Sequence, residues 1–282
     1  MYKLKMWITG DSIIDVQKTY SLRHGKNYAR AVRSATTSEA MKNYNEKMAI
    51  RELTRIINAN FNTNDIHLTL TYQRDLRPST EEELKRDLKC YLRKLRRIYK
   101  KAGKELKYIT VSAIGSKGAP HHHLIINEID TRLLNGLWKK GGMHPVFLYS
   151  KVDFTGLAAY FIEQSNPKGG EVIGRRWNCS RNLIHPQVKV WEVDADTWRE
   201  PPKAIEGYEI DYSTVDYGEN PITGIPFCYY RMIKREIKKP IMTPDGRLLQ
   251  PDAAERWLRQ KEFEEEKKRY DKSNKITRRQ KE

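Results

Sequence analysis

Ala119-Pro120-His121-His122-His123-Leu124-Ile125-Ile126-Asn127 is the stretch on which the reading of this chain turns. Three of the seven histidines stand in a row and run straight into an apolar, β-branched segment. Gly115 and Gly118 precede it, so the pattern reads as a strand entered from a turn, with the histidines at its mouth. Alternate side chains of a strand share a face. His121 and His123 therefore point one way and His122 the other. At ~3.3 Å of rise per residue, the two like-facing imidazoles stand about 7 Å apart along the strand and can share a divalent cation. A polar strand end with solvated histidines fits the same pattern, and the rest of the chain has to decide between the two.

Working outward, residues 108–114 (Tyr-Ile-Thr-Val-Ser-Ala-Ile) form a second strand, joined to the histidine strand as a hairpin. Before it, Thr80 and Glu83 fit a capping box, and acidic residues 81–83 suit the positive end of a helix dipole. Leu84, Leu88, Leu92, Leu95 and Ile98 fall at helical spacing as far as about Lys101, and Gly103 stops the helix. Its outer face carries Lys85, Arg86, Lys89, Arg93, Lys94, Arg96 and Arg97, open to solvent or to a phosphate backbone. Residues 67–72 alternate as a strand. Downstream, residues 131–138 read as a short helix, 146–149 as a strand and 154–164 as a helix.

From His67 the order is β-α-β-β-α-β-α. That is α+β, in the manner of a ferredoxin-like or split βαβ antiparallel sheet with helices on one face. A helical N-terminal extension and a mixed C-terminal extension flank it. Residues 1–36 are basic and without strong periodicity, and are expected as an irregular or binding-ordered arm. Ser38 caps a helix ending near residues 58–60. Residues 200–227, rich in Pro, Gly, Asp and Tyr, read as loops and short pieces. Residues 253–280 read as a charged helix ending in a basic tail. The expected division is 1–60 for arm and helix, 61–195 for the central domain, and 196–282 for the extension.

The net charge is +17, from 53 basic and 36 acidic residues, which favours a polyanionic partner, nucleic acid first. Hydrophobic residues, at 38%, suffice for a core. No run approaches the ~18 apolar residues of a membrane span. The first residues lack the apolar segment of a signal peptide, so the expected location is the cytoplasm. Cys90, Cys179 and Cys228 are odd in number and widely spaced, which fits neither a disulfide framework nor a zinc knuckle.

Three features then stand in order: Leu68-Thr69-Leu70-Thr71, Pro120-His121-His122-His123-Leu124, and a later helix carrying Tyr160. Ser180-Arg181-Asn182-Leu183 follows, and more distantly Tyr229-Tyr230-Arg231-Met232. The ordered set resembles the HUH endonucleases, and within them the rolling-circle replication initiators of bacterial plasmids, phages and mobile elements. The resemblance spans about residues 38–183. It implies that His121 and His123 hold Mg²⁺ or Mn²⁺ and that Tyr160 is the nucleophile, forming a 5′-phosphotyrosine link and freeing a 3′-OH. Tyr149 and Tyr72 are the reserve candidates. The family often places an acidic third ligand where this chain has Ala113. Some single-tyrosine relatives instead take it four residues after the tyrosine, which is Gln164 here. Residues i and i+4 share a helix face, so Gln164 can reach the ion that Tyr160 approaches, with Glu163 the next choice.

Lys117, Lys168, Arg175, Arg176 and Arg181 flank these motifs as candidate DNA contacts, and Trp177 could stack on an unpaired base. The expected partners are single-stranded or hairpin origin DNA and a host helicase and polymerase, because no Gly-X-X-X-X-Gly-Lys-Ser/Thr loop occurs. Neither a membrane nor a small-molecule cofactor is expected. The rival expectations are a DNA-binding protein that has lost cutting activity, which Ala113 favours, and a single-tyrosine transposase or relaxase.

Overall fold

The computed structural model describes residues 1–10, 12–20, 38–114, 118–149, 153–165, 176–221, 224–235, 241–245 and 247–249. The chain divides into two units, 1–233 and 234–282. Within the second, two short strands, Ile241–Met242 and Leu248–Leu249, pair antiparallel. The charged helix expected over 253–280 lies outside the described residues.

The first unit is α+β, with two five-stranded antiparallel sheets. Its elements in chain order are β1 (Tyr2–Thr9), β2 (Ile13–Tyr20), α1 (Glu39–Asn60), β3 (Ile66–Thr71), α2 (Glu81–Lys101), β4 (Tyr108–Ile114), β5 (Pro120–Ile126) and β6 (Met143–Phe147). Then follow α3 (Thr155–Ser165), β7 (Asn178–Cys179), β8 (Val188–Val193), α4 (Ala195–Arg199), β9 (Tyr208–Glu219) and β10 (Pro226–Lys234). The central sheet runs β6-β3-β5-β4-β7, with the histidine strand β5 in the middle. Because β5 lies between β3 and β4, it splits the β3–α2–β4 crossover.

Local chemistry sets the helix ends. Thr80 Oγ1 accepts from the Glu83 amide, and the Glu83 carboxylate reaches back to the Ser79 amide, one residue earlier than a capping box requires. At the other end Gly103 sits at φ 68°, where a side chain is disfavoured, and the Lys104 amide bonds the Tyr99 carbonyl. A second close fit fixes the end of β3. A Cβ on Gly141 would stand 2.2 Å from the Thr71 carbonyl oxygen, so only glycine lets that segment approach.

Helices cover both faces of the central sheet, not one as expected. Leu84, Leu88, Tyr91, Leu95 and Tyr99 of α2 pack on Leu68, Leu70, Leu124 and Ile126. On the opposite face, Leu53 and Ile57 of α1 and Phe161 and Ile162 of α3 pack on Ile109, Val111 and Ile125. The period of two in β5 therefore feeds two separate cores. His122 lies on the α2 side, fully buried, and is bonded end to end. Its Nδ1 faces Ser112 Oγ at 2.8 Å, and its Nε2 faces Tyr72 Oη at 2.9 Å. The Tyr72 hydroxyl donates to Asp87, whose other oxygen pairs with Lys140. One hydroxyl proton cannot serve both neighbours. The His122 Nε2–H therefore donates to Tyr72, and Ser112 donates to Nδ1.

The N-terminal stretch departs from expectation. Residues 2–9 and 13–20 form a hairpin rather than an irregular arm, and they join the second sheet, ordered β8-β1-β2-β10-β9. Lys3 and Lys5 alternate with Leu4 and Met6, so one face is basic and the other packs on Ile14, Val16, Tyr230 and Met232. Residues 208–219, expected as loops, form the long strand β9. The second sheet meets α1 through cations on rings. Arg51 lies 3.7 Å from the Tyr229 ring centre, and Arg55 lies 4.3 Å from that of Trp7.

A buried ionic cluster ties the second sheet to the start of α3. Arg231 on β10, only 2% exposed, donates through Nε to fully buried Asp15 on β2 at 2.8 Å. Its Nη1 reaches Asp153 at 2.7 Å and Thr155 Oγ1 at 2.9 Å, at the entrance of α3. Tyr229 Oη donates to the same Asp15 oxygen. Removing the cation leaves a buried carboxylate with little compensation, so Arg231→Met is expected to cost about 3–5 kcal/mol in urea denaturation. Adding Asp15→Leu should recover a large part of that loss.

Candidate functional site

Antiparallel pairing puts directly opposed residues on one face. On β3 and β5, Thr69 stands opposite His123 and Thr71 opposite His121. On β4, Val111 stands opposite His123 and Ala113 opposite His121. The α3-covered face thus carries His121 and His123 at its centre, Thr69 and Thr71 on one side and Ala113 on the other. Ala113 is 2% exposed, so the position beside His121 is filled by a buried methyl group. His67 belongs to this face too, two residues before Thr69, and His144 on β6 stands opposite Thr69.

The helix α3 brings Tyr160 and Gln164 over the histidines on adjacent turns. Tyr160 Oη lies 3.3 Å from His123 Nε2, and Gln164 Oε1 lies 3.2 Å from His121 Nε2. The Gln164 side chain also bonds the His123 ring. His121 Nδ1 sits 3.2 Å from the Ala119 carbonyl, which can only accept, so Nδ1 carries the proton and Nε2 the lone pair. That lone pair faces the Gln164 amide oxygen. Two acceptors aimed at one another make an arrangement that a cation satisfies.

His123 is oriented from behind. Its Nδ1 lies 3.2 Å from His67 Nε2 and 3.2 Å from Thr69 Oγ1. With the proton on Nδ1, either neighbour accepts it, and His123 Nε2 turns its lone pair toward Tyr160. Partners of this kind on the far nitrogen fix both tautomer and ring plane in metal-binding histidines. Two imidazole nitrogens and an amide oxygen are a donor set suited to Mn²⁺ or Mg²⁺. Among the described residues, no group of three or more His, Cys, Asp or Glu side chains is arranged to hold a metal ion. Any third ligand beside this histidine pair therefore comes from outside those residue types, as Gln164 does.

Burial governs the charge state. It pushes His123 down to about 3, helped by the neighbouring His121, His67 and His122, and His67 down to about 4. Burial and then Glu163 push the Tyr160 phenol up. At neutral pH both histidines are uncharged donors and Tyr160 keeps its proton. Tyr160 is 38% exposed, open enough for a strand to reach its oxygen.

The other sequence-derived candidates separate by position. Tyr72 lies on the opposite face, bonded to His122. Tyr149 follows β6 at the end where Phe147 pairs with Ile66, the end of the sheet away from His121. Arg176 donates to the Asn45 carbonyl at 3.1 Å. Trp177 is half-buried against the α1–α3 core, which leaves less of its ring for a base than expected. Arg181 is exposed but follows Ser180, whose amide bonds Tyr108, about 17 Å along β4 from Ala113. It does not join the histidine pair. Lys117, Lys168 and Arg175 lie outside the described residues.

His67 and His144 were not among the sequence candidates. The signal for His67 was its period-two spacing from Thr69 and Thr71, which needed the β3–β5 register to become meaningful.

Burial also predicts acid sensitivity. The His122 imidazole is pushed down to about 3 by burial and by His121. A folded-state value below the unfolded ~6.5 means that the unfolded chain binds the extra proton. Stability is therefore complete above about pH 6.5 and falls as the pH drops toward 3. The slope is about 1.4 kcal/mol per pH unit for each such histidine. In urea denaturation between pH 6 and 4, His122→Gln should lower that slope by about one proton.

Residues 65–165 match a family model described as replication-associated protein, of the ORF2 kind. No curated protein and no solved structure matches the chain. No helix among the described residues is long and apolar enough to cross a membrane. The matched span opens one residue before β3 and closes at the last residue of α3, so it contains His67, His121, His123, Tyr160 and Gln164. That similarity supports a role in replication initiation, with DNA as the partner.

Proposed function

We propose that this chain is a rolling-circle replication initiator of the HUH type, which nicks and rejoins single-stranded origin DNA through Tyr160. The observation that carries the reading is the pairing of Tyr160 with His123 and of Gln164, one turn later, with His121. The split βαβ order of β3, α2, β4 and β5 supports a ferredoxin-like core under that site.

His121, His123 and Gln164 would hold Mg²⁺ or Mn²⁺, which supplies charge neutralisation at a non-bridging oxygen of the scissile phosphate. Tyr160 Oη attacks phosphorus and the bond to the 3′ oxygen breaks. The phenol gives up its proton and the leaving oxygen takes one up, so charge is conserved. The products are a 5′-phosphotyrosine link and a free 3′-OH, and reversal by a 3′-OH rejoins the strand without an external energy source. His67 and Thr69 hold the His123 ring throughout. Arg176, Trp177, Arg181, Lys117, Lys168 and Arg175 are assigned to the incoming strand. A host helicase and polymerase, in the cytoplasm of a cell carrying a plasmid, phage or integrated element, would complete the cycle.

A second reading, a DNA-binding protein without cutting activity, rests on Ala113. Its buried methyl occupies the position beside His121 where an acid would otherwise face the ion.

Labelled single-stranded origin DNA with Mn²⁺ separates the two. The first reading expects a covalent protein–DNA adduct that is absent from Tyr160→Phe. Gln164→Ala should bind Mn²⁺ about tenfold more weakly, in line with losing one protein donor. An adduct that persists in Tyr160→Phe would sink the nucleophile assignment, and origin binding with no adduct would establish the second reading.

A further inference from the structure

The outer face of α2 is not used by the histidine site. The core side of this helix packs on Leu68, Leu70, Leu124 and Ile126, so its exposed side points away from Tyr160. Every exposed residue between Lys85 and Lys101 is lysine or arginine. Lys85, Lys89, Arg93, Arg97 and Lys101 form one unbroken i,i+4 row. Over that row the helix extends about 24 Å at 1.5 Å per residue.

Folding alone does not call for such a row. Like charges at i,i+4 repel and cost helix stability, and interleaved glutamates would relieve them. Cations near a helix C-terminus do complement the dipole, but only in the last turn, and Lys89 and Arg93 lie before it. The acids of the helix are already engaged. Glu81 pairs with Lys85 at 2.5 Å, Glu83 with Arg86 at 3.5 Å, and Asp87 is buried against Lys140. Among the described residues, Lys89, Arg93, Arg97 and Lys101 have no acidic partner.

We infer that the outer face of α2 is a docking surface for the phosphate backbone of double-stranded DNA. A straight, rigid row of cations matches a stiff duplex, which carries one negative charge per ~1.7 Å of axis; about 24 Å covers roughly seven base pairs. Cations alone read phosphates and not bases, so the contact is independent of sequence. The chain would then hold duplex on one face of the central sheet and a single strand on the other. The inference rests on DNA being the partner, but not on Tyr160 chemistry.

The test uses the full chain, a random-sequence duplex of about 20 base pairs, and fluorescence anisotropy across a salt series. Lys89→Gln, Arg93→Gln and Arg97→Gln together should weaken duplex binding tenfold or more at about 150 mM salt. The slope of log K against log salt should fall by about 2.7, from ~0.9 per lost phosphate contact. A charge-matched control, Lys189→Gln, Arg199→Gln and Lys203→Gln on the second sheet, should stay within about twofold of the parent. Thermal melting of the α2 triple should match or exceed the parent, because like charges have been removed. If it melts lower, alanines at the same three positions, better helix formers, must reproduce the binding loss.

Equal losses in both triples, or none in the α2 triple, overturn the inference. So does a loss confined to vesicles of anionic phospholipid with duplex binding unchanged. Adduct formation on a short unstructured oligonucleotide should be the same in parent and α2 triple. If the parent forms no adduct while the duplex results hold, the nicking reading fails and this one stands.

Discussion

Everything in the central sheet depends on the two-residue period of β5. Three consecutive histidines cannot share a face of a strand, and the strand is buried on both sides. His121 and His123 go to the side covered by α3, and His122 goes to the side covered by α2. Each side then imposes different chemistry on the same residue type. On the α2 side, an imidazole saturated by Ser112 and Tyr72 has no lone pair left over and serves the core. On the α3 side, Nε2 atoms face an amide oxygen and a phenol rather than a closed set of partners.

Burial and hydrogen bonding act together on the α3 side. Burial keeps His67 and His123 neutral, as donor atoms must be, and the contacts behind His123 decide which nitrogen turns forward. The same burial keeps the Tyr160 phenol protonated, so the residue poised to react rests in its unreactive form. A site of this kind is quiet until an ion and a phosphate arrive together. The similarity of residues 65–165 to a replication-associated family falls on the segment that builds this arrangement.

Much of it was legible from local patterns. Strand alternation separated His122 from its neighbours. Helical spacing placed Gln164 one turn from Tyr160, and the Thr80, Glu83 and Gly103 signals bounded α2 within a residue or two. What escaped depends on partners distant in sequence. His67 gains meaning only from its alignment with Ile125 and its contact with His123, which no local window contains. The strands β1 and β9 were masked by charge. Lys3 and Lys5 read as a basic arm, although their alternation with Leu4 and Met6 was a strand signal. Glu209, Asp211 and Asp216 made β9 look like a loop. The helices on both faces were missed because α1 was read as an extension, whereas it fills the side of the sheet that a ferredoxin-like order leaves open.

The Arg231 cluster bears on what the smallest self-sufficient piece of this protein can be. The helix that carries Tyr160 and Gln164 begins beside Asp153 and Thr155, and both are held by an arginine 76 residues further along the chain, which is itself held by Asp15 near the start. The segment that resembles other replication proteins therefore contains the reacting groups without containing what fixes the angle at which they are presented. Cut down to 65–165, it would keep the chemistry and lose the bearing on which its nucleophile helix rests. Similarity and structural autonomy have different boundaries in this chain, because one follows the reacting atoms and the other follows a buried guanidinium.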